Sequence, residues 1–162
     1  VIVLGLRVDL AAVDWLLLVT ALVMGLVPII ALGVLLAAVC LQTRQESWSY
    51  PDAFAGALFL VSGVVFPLAV LPYPVQAIGL ANPITWWLAA VRLAVVPDGP
   101  SSIGGTGSLW TAVTGTAAPD ATTVLCALFV TGALVTLAAT AIFRSSERRA
   151  RELGLLDRTT GS

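Results

Sequence analysis

Few residues in this chain could do chemistry, and the missing types narrow the possibilities first. The 162 residues include no histidine, and all eight basic residues are arginines. Without imidazole there is no Ser–His or Cys–His nucleophile pair and no histidine metal site. Without lysine no phosphate-cradling G-x-x-x-x-G-K-[ST] loop can form, so the chain carries no ATPase site of that kind. Cys40 and Cys126 sit inside apolar runs and read as small hydrophobes rather than a disulfide pair. A net charge of −1 argues against nucleic acid as a partner. No ionisable residue falls at the middle of an apolar run, which leaves a proton relay without a candidate. Catalytic, cofactor-binding and metal-binding residues are therefore all expected to be none. What remains is positional. Arg144, Arg148, Arg149, Arg151 and Arg158 cluster in the tail, Arg92 follows Trp86-Trp87, and Arg44, Glu46 and Trp48 share a short polar stretch.

The elements that hold these residues are apolar. Hydrophobic residues make up 59% of the chain and charged residues 10%, with a mean hydropathy of +1.00. A soluble domain has about 45–50% apolar and about 25% charged residues, and one this small could not hide the excess. An integral membrane protein is expected. Three runs are long enough to cross a hydrocarbon core of about 30 Å: 15–41, 53–71 and 121–143. Pro28 should kink the first, and Gly25 and Gly33 should admit a close neighbour. Gly132, Thr136 and Thr140 form a small-residue stripe expected to pack helices. Between the second and third runs the pattern breaks. Pro67, Pro72 and Pro74 forbid a regular helix, and Asn82-Pro83 breaks the chain again before a helix over 84–96. The stretch 97–120, rich in Gly, Ser, Thr and Pro, reads as an irregular loop. Asp52 is expected to cap the second span. Arg92 reads as an interfacial arginine beside an aromatic belt, with a salt bridge that fixes the hairpin as the alternative.

Five of the eight arginines follow the last run, which assigns the tail 144–162 to the cytoplasm and the loop 97–120 to the outside. Arginine counts do not decide whether 74–96 crosses the membrane, because both models put six arginines on one side and two on the other. Backbone chemistry favours a re-entrant external segment over 72–96. A lipid-exposed break at Asn82-Pro83 would leave unpaired polar groups in hydrocarbon, at several kcal/mol each. The chain begins at Val1 with no basic segment before the first apolar stretch, so no signal peptide is expected and the sequence reads as starting inside something longer. Abundant Ala, Val and Arg without Lys points to a GC-rich bacterial genome.

The block Phe66-Pro67-Leu68-Ala69-Val70-Leu71-Pro72, followed by Gln76-Ala77-Ile78, Asn82-Pro83-Ile84-Thr85-Trp86-Trp87 and Val91-Arg92, resembles the ABC-2 family of exporter permeases. Gly33–Ala38 leading to Arg44, and the tail Arg148–Gly154, are similar to the same family. The resemblance covers only that family's last three spans. It implies an all-α integral membrane fold with about three transmembrane helices and a re-entrant external hairpin, the carboxy-terminal half of a six-span permease and a single transmembrane domain. Phe66, Pro67, Leu71, Pro72, Asn82, Pro83 and Arg92 would form the hairpin and exit region, while Arg44, Glu46 and Trp48 would face an ATPase subunit. The plainer reading of 42–52 is a solvated turn.

The expected function is that of a permease subunit, not an enzyme, exporting a lipophilic or amphipathic substrate such as a drug or antibiotic with ATP hydrolysed by a separate subunit. Its expected partners are that ABC ATPase, a second permease copy and membrane lipids, with no cofactor. The expected location is a bacterial plasma (inner) membrane, multi-pass, with the C-terminus cytoplasmic. The rival is a non-transporting three-span scaffold or immunity-type subunit, because three spans supply packing but no pathway.

Overall fold

The computed structural model describes residues 2–3, 6–7, 12–42 and 49–152, with side chains described for 12–37 and 52–148. Apart from a two-residue antiparallel ladder, β1 (Ile2–Val3) with β2 (Leu6–Arg7), the described residues fold as helices and their connections. The long helices are α1 (Trp15–Gln42) and α6 (Ala121–Glu152). Both are long and apolar enough to cross a membrane, and a bent pair of shorter helices makes a third crossing if counted as one. The fold is that of an all-α membrane protein, but its bent pair and its short second helix depart from three simple spans.

Helix α1 starts where the Asp14 carboxylate accepts the Leu17 N–H at 3.0 Å, satisfying one of the free donors of the first turn. Pro28 lies inside it, buried, and the helix continues on both sides. Threonines in α6 return their hydroxyls to the carbonyl four residues back, Thr131 to Ala127 at 2.6 Å and Thr136 to Gly132 at 2.8 Å. An apolar surrounding would otherwise leave those hydroxyls without a partner.

Helices α1, α6 and α4 (Pro83–Val95) pack on one another. The buried side chains in their contacts are mostly small: Ala21, Ala31, Ala90, Ala94 and Ala139, with Gly25 and Gly132. Lipid is as apolar as leucine, so helices associate in a bilayer through close backbone approach, and small residues permit it. A Cβ at Gly25 would fall inside the Trp87 indole, and one at Gly132 would lie 3.5 Å from Pro28 Cγ. The large apolar side chains point outward instead: Leu16, Val23 and Ile30 on α1, and Phe129, Leu134 and Leu137 on α6 are 59% exposed or more. An apolar exterior that wide matches lipid, not water.

The contacts fix direction. Asp14 donates its N–H to Ala94 O at 2.9 Å while Gly25 meets Trp87, so α4 runs antiparallel to α1. Gly132 meets Pro28, and the first turns of α6 lie beside the last turns of α4, so α6 runs parallel to α1.

The expected span 53–71 is shorter in the structure. Helix α2 is Ser49–Val61, and Ser62 N–H still reaches Leu58 O before Gly63, at φ +72°, turns the chain in the left-handed conformation. A 3₁₀ turn (Leu68–Val70) between Pro67 and Pro72 follows. At about 1.5 Å per residue α2 reaches about 20 Å, short of a hydrocarbon core. Asp52 lies in its first turn. The stretch 97–120 is not wholly irregular either, since it holds α5 (Leu109–Thr114), capped by the Ser108 hydroxyl on Thr111 N–H at 3.1 Å and ended by Gly115 at φ +73°.

Candidate functional site

The expected hairpin is a helix pair. Helix α3 (Tyr73–Ala81) follows Pro72, breaks at Asn82 and bends by 79° into α4. Proline explains both starts: Pro72 and Pro83 have no N–H to leave unpaired at the head of a helix. Asn82 serves as the C-cap of α3 and the N-cap of α4, its side-chain oxygen accepting Ile84 N–H at 3.1 Å. The Asn82 Nδ2, the Thr85 hydroxyl and the Trp87 Nε1 are buried without a hydrogen-bond partner. Orphaned polar groups concentrated at one break are costly, on the order of 1–3 kcal/mol each.

Both ends of the pair are tied to 97–120. At the start, Leu68 N–H donates to Ser102 O at 2.8 Å. The Gln76 amide, 2% exposed, donates to Leu71 O at 2.7 Å, and its oxygen accepts Leu109 N–H. At the far end α4 runs directly into the same stretch. Across the middle, Trp86 donates its indole N–H to Leu80 O at 2.7 Å and meets Trp110 edge-on, with ring centroids 5.8 Å apart. Leu68, buried beneath Gly63 and Gly79, locks the turn; a Cβ at Gly79 would lie 2.6 Å from Val61 O and 3.0 Å from Leu68 Cδ2.

Of the residues singled out in the sequence, Pro67, Leu71, Pro72, Asn82 and Pro83 all shape this pair, as the N-cap and C-cap of the 3₁₀ turn, the N-cap of α3, the break itself and the first turn of α4. Phe66 is half exposed and packs against none of them closely enough to bury it. Arg92 forms no salt bridge among the described residues. Its guanidinium donates to Val64 O at 3.1 Å, tying the last turn of α4 to the chain after α2. Arg44, Glu46 and Trp48 lie outside the described residues. Of the expected small-residue stripe, Gly132 is buried, Thr136 partly so, and Thr140 faces outward; Gly33 has open space around it.

The structure adds residues that carry weight and were not expected to. Gln76 is the main one. Its signal was available, as the only amide in an otherwise apolar stretch, yet nothing in the sequence revealed that its partners would come from residues 107 and 109. Beside Arg92 lies an open cavity of about 350 Å³ lined by Ala89, Leu93, Val96, Ser101, Pro119 and Val124 among others. Outside the spans, the Asp120 carboxyl sits below its ordinary value, chiefly because the Thr123 hydroxyl donates to it. Among the described residues no three His, Cys, Asp or Glu side chains gather as metal ligands would.

Compared with family models, curated proteins and solved structures, the chain matches none of them.

Proposed function

We propose that the chain is a membrane-spanning permease subunit of an ABC-2 type exporter, corresponding to that family's last three spans. It moves a lipophilic or amphipathic substrate outward while a separate subunit hydrolyses ATP. One observation carries the reading: the α3–α4 pair, bent by 79° at Asn82-Pro83, has both ends bound to the stretch 97–120 and packs one arm against two long helices that run the same way. That is what a re-entrant external hairpin requires, since it begins and ends on one face of the membrane. With α1 and α6 parallel, Gln42 and the arginine-rich end of α6 share a face, and the positive-inside rule makes that face cytoplasmic. The hairpin then enters the bundle from its outer end, with α4 lying along α1 as far as Gly25. The ATPase subunit would act from the cytoplasmic face. An apolar path between two permease copies suits a lipophilic cargo.

Purification of the chain from its own membranes tests this reading. A permease is expected to bring with it an ATPase subunit and an ATP turnover that vanadate inhibits. Recovery of the chain without ATP turnover would overturn the reading. A non-transporting scaffold would then take its place, a role favoured by the close, alanine-packed contacts between α1, α4 and α6.

A further inference from the structure

The cavity beside Arg92 has the makings of a ligand site that the transport reading does not use. It lies at the end of the bundle where α4 ends and α6 begins, opposite the arginine-rich tail. Its volume of about 350 Å³ falls at the lower limit of small-molecule sites, room for a headgroup and the first carbons of a chain rather than a whole lipid. Most of its wall is apolar: Ala89 and Leu93 from α4, Val96 at its C-cap, Pro97 and Pro100 from the loop, and Val124 from α6.

Two polar groups break that wall. Arg92 spends one donor on Val64 O, and among the described residues no carboxylate pairs with it. A guanidinium has five N–H donors in a planar fork suited to phosphate oxygens, so most of its capacity is unspent. The Ser101 hydroxyl oxygen already accepts Ile103 and Gly104 N–H, at 3.3 and 3.0 Å, which leaves its proton available to an acceptor in the cavity. The nearest acidic residues along the chain, Asp98 and Asp120, are not part of the lining, and Asp120 is engaged by Thr123. Among the described side chains the only other cations are Arg144 and Arg148, toward the far end of α6.

We propose that this cavity binds a phosphate-bearing lipid, with Arg92 and Ser101 holding the phosphate and the apolar walls holding the start of the acyl chains. The chemistry at the cation is that of any phosphate. The apolar lining assigns the lipid rather than a soluble phosphate. The proposal rests on the membrane setting of the chain and is independent of whether it transports anything.

The test titrates the purified full chain, in detergent, with dioctanoyl phosphatidic acid and reads the bound adduct by native mass spectrometry. Dioctanoylglycerol, which lacks the phosphate, and inorganic phosphate, which lacks the chains, are the comparison ligands. The phosphatidic acid is expected to bind at least tenfold more tightly than dioctanoylglycerol, and inorganic phosphate is expected not to displace it. Arg92→Gln should weaken binding about tenfold, the scale of one charge-assisted hydrogen bond, while Arg92→Lys retains most of it. Ala118→Trp, which leaves Arg92 untouched and fills the cavity from the loop side, should lose binding as well. Replacing Arg144 and Arg148 together by Gln should change nothing. Unchanged binding in Ala118→Trp, or displacement by inorganic phosphate, would overturn the lipid cavity and leave a surface anion contact. So would a loss confined to the tail variant. Should Arg92→Gln fail to fold, Ala118→Trp and the ligand comparison still decide.

Discussion

At the scale of single residues the hairpin depends on a few groups that cannot be exchanged. Gln76 is buried and bonded in two directions, to Leu71 O and from Leu109 N–H. Gln76→Leu would keep the size and suit the apolar surroundings but strand both backbone groups, at about 1–3 kcal/mol. A lower thermal midpoint in detergent is the expected outcome, and an unchanged midpoint would mean the amide is dispensable. Gly25 makes the opposite demand, for empty space, because any Cβ there enters the Trp87 ring. Gly25→Val should destabilise by about 1–3 kcal/mol through overpacking. Gly33→Ala, with nothing within 4 Å, should be neutral or stabilising on the helix-propensity scale. The same melting experiment compares the two. Asp120 gives a pH signature. Its carboxylate is favoured in the fold by the Thr123 hydroxyl, so its folded value lies below the ordinary 3.8. The stabilisation is therefore complete above that value and is lost as pH falls through the lower folded value. Amide protection at the start of α6, relative to the unfolded-chain exchange rate at each pH, should fall over that acid range, and Asp120→Asn should remove the dependence.

At the scale of elements, the direction of the helices makes a claim about sides. On the proposed reading, residues 12–14, the Pro72 turn and the loop near Asp98 belong to one face, and the end of α6 belongs to the other. In a background with Cys40 and Cys126 replaced by alanine, single cysteines at Pro72 and at Asp98 should both react with an impermeant maleimide from outside. One at Arg144 should react only after the membrane is opened. Labelling of Pro72 and Asp98 from opposite faces would mean that α3 and α4 cross the membrane as one bent span. How much of this was legible in the sequence depends on the element. The long spans were, because a run without charges can be counted against the thickness of a bilayer. So were the breaks at Pro72 and Asn82-Pro83, because proline acts on the backbone locally. The end of α2 at Val61 was not, since Ser62-Gly63 interrupts an apolar run without lowering its hydropathy. Helix α5 was hidden for a related reason: its Ser108 cap and Gly115 stop are turn residues that a Gly- and Ser-rich stretch offers in any case. Partners from distant sequence were the least legible. Arg92 could be placed near an interface from its tryptophans, but its bond to Val64 O spans two helices and a turn.

At the scale of the whole molecule, the arrangement combines a lipid-facing exterior with a bundle interior of alanine and glycine. The interior is suited to close contact between helices, and on the proposed transport reading a path for substrate would come from an interface with another copy. The α3–α4 pair is tied to the stretch 97–120, while Asn82, Thr85 and Trp87, at and just after its break, carry orphaned groups. The central claim is ATP-driven outward movement, and transport measures it most directly. Inside-out membrane vesicles prepared from cells with the gene intact at its locus, and from cells lacking it, would be compared for uptake of a lipophilic dye with and without ATP. The account predicts dye accumulation that needs both the gene and ATP and is lost with vanadate. Equal dye content in the two vesicle preparations, with ATP present, would contradict it.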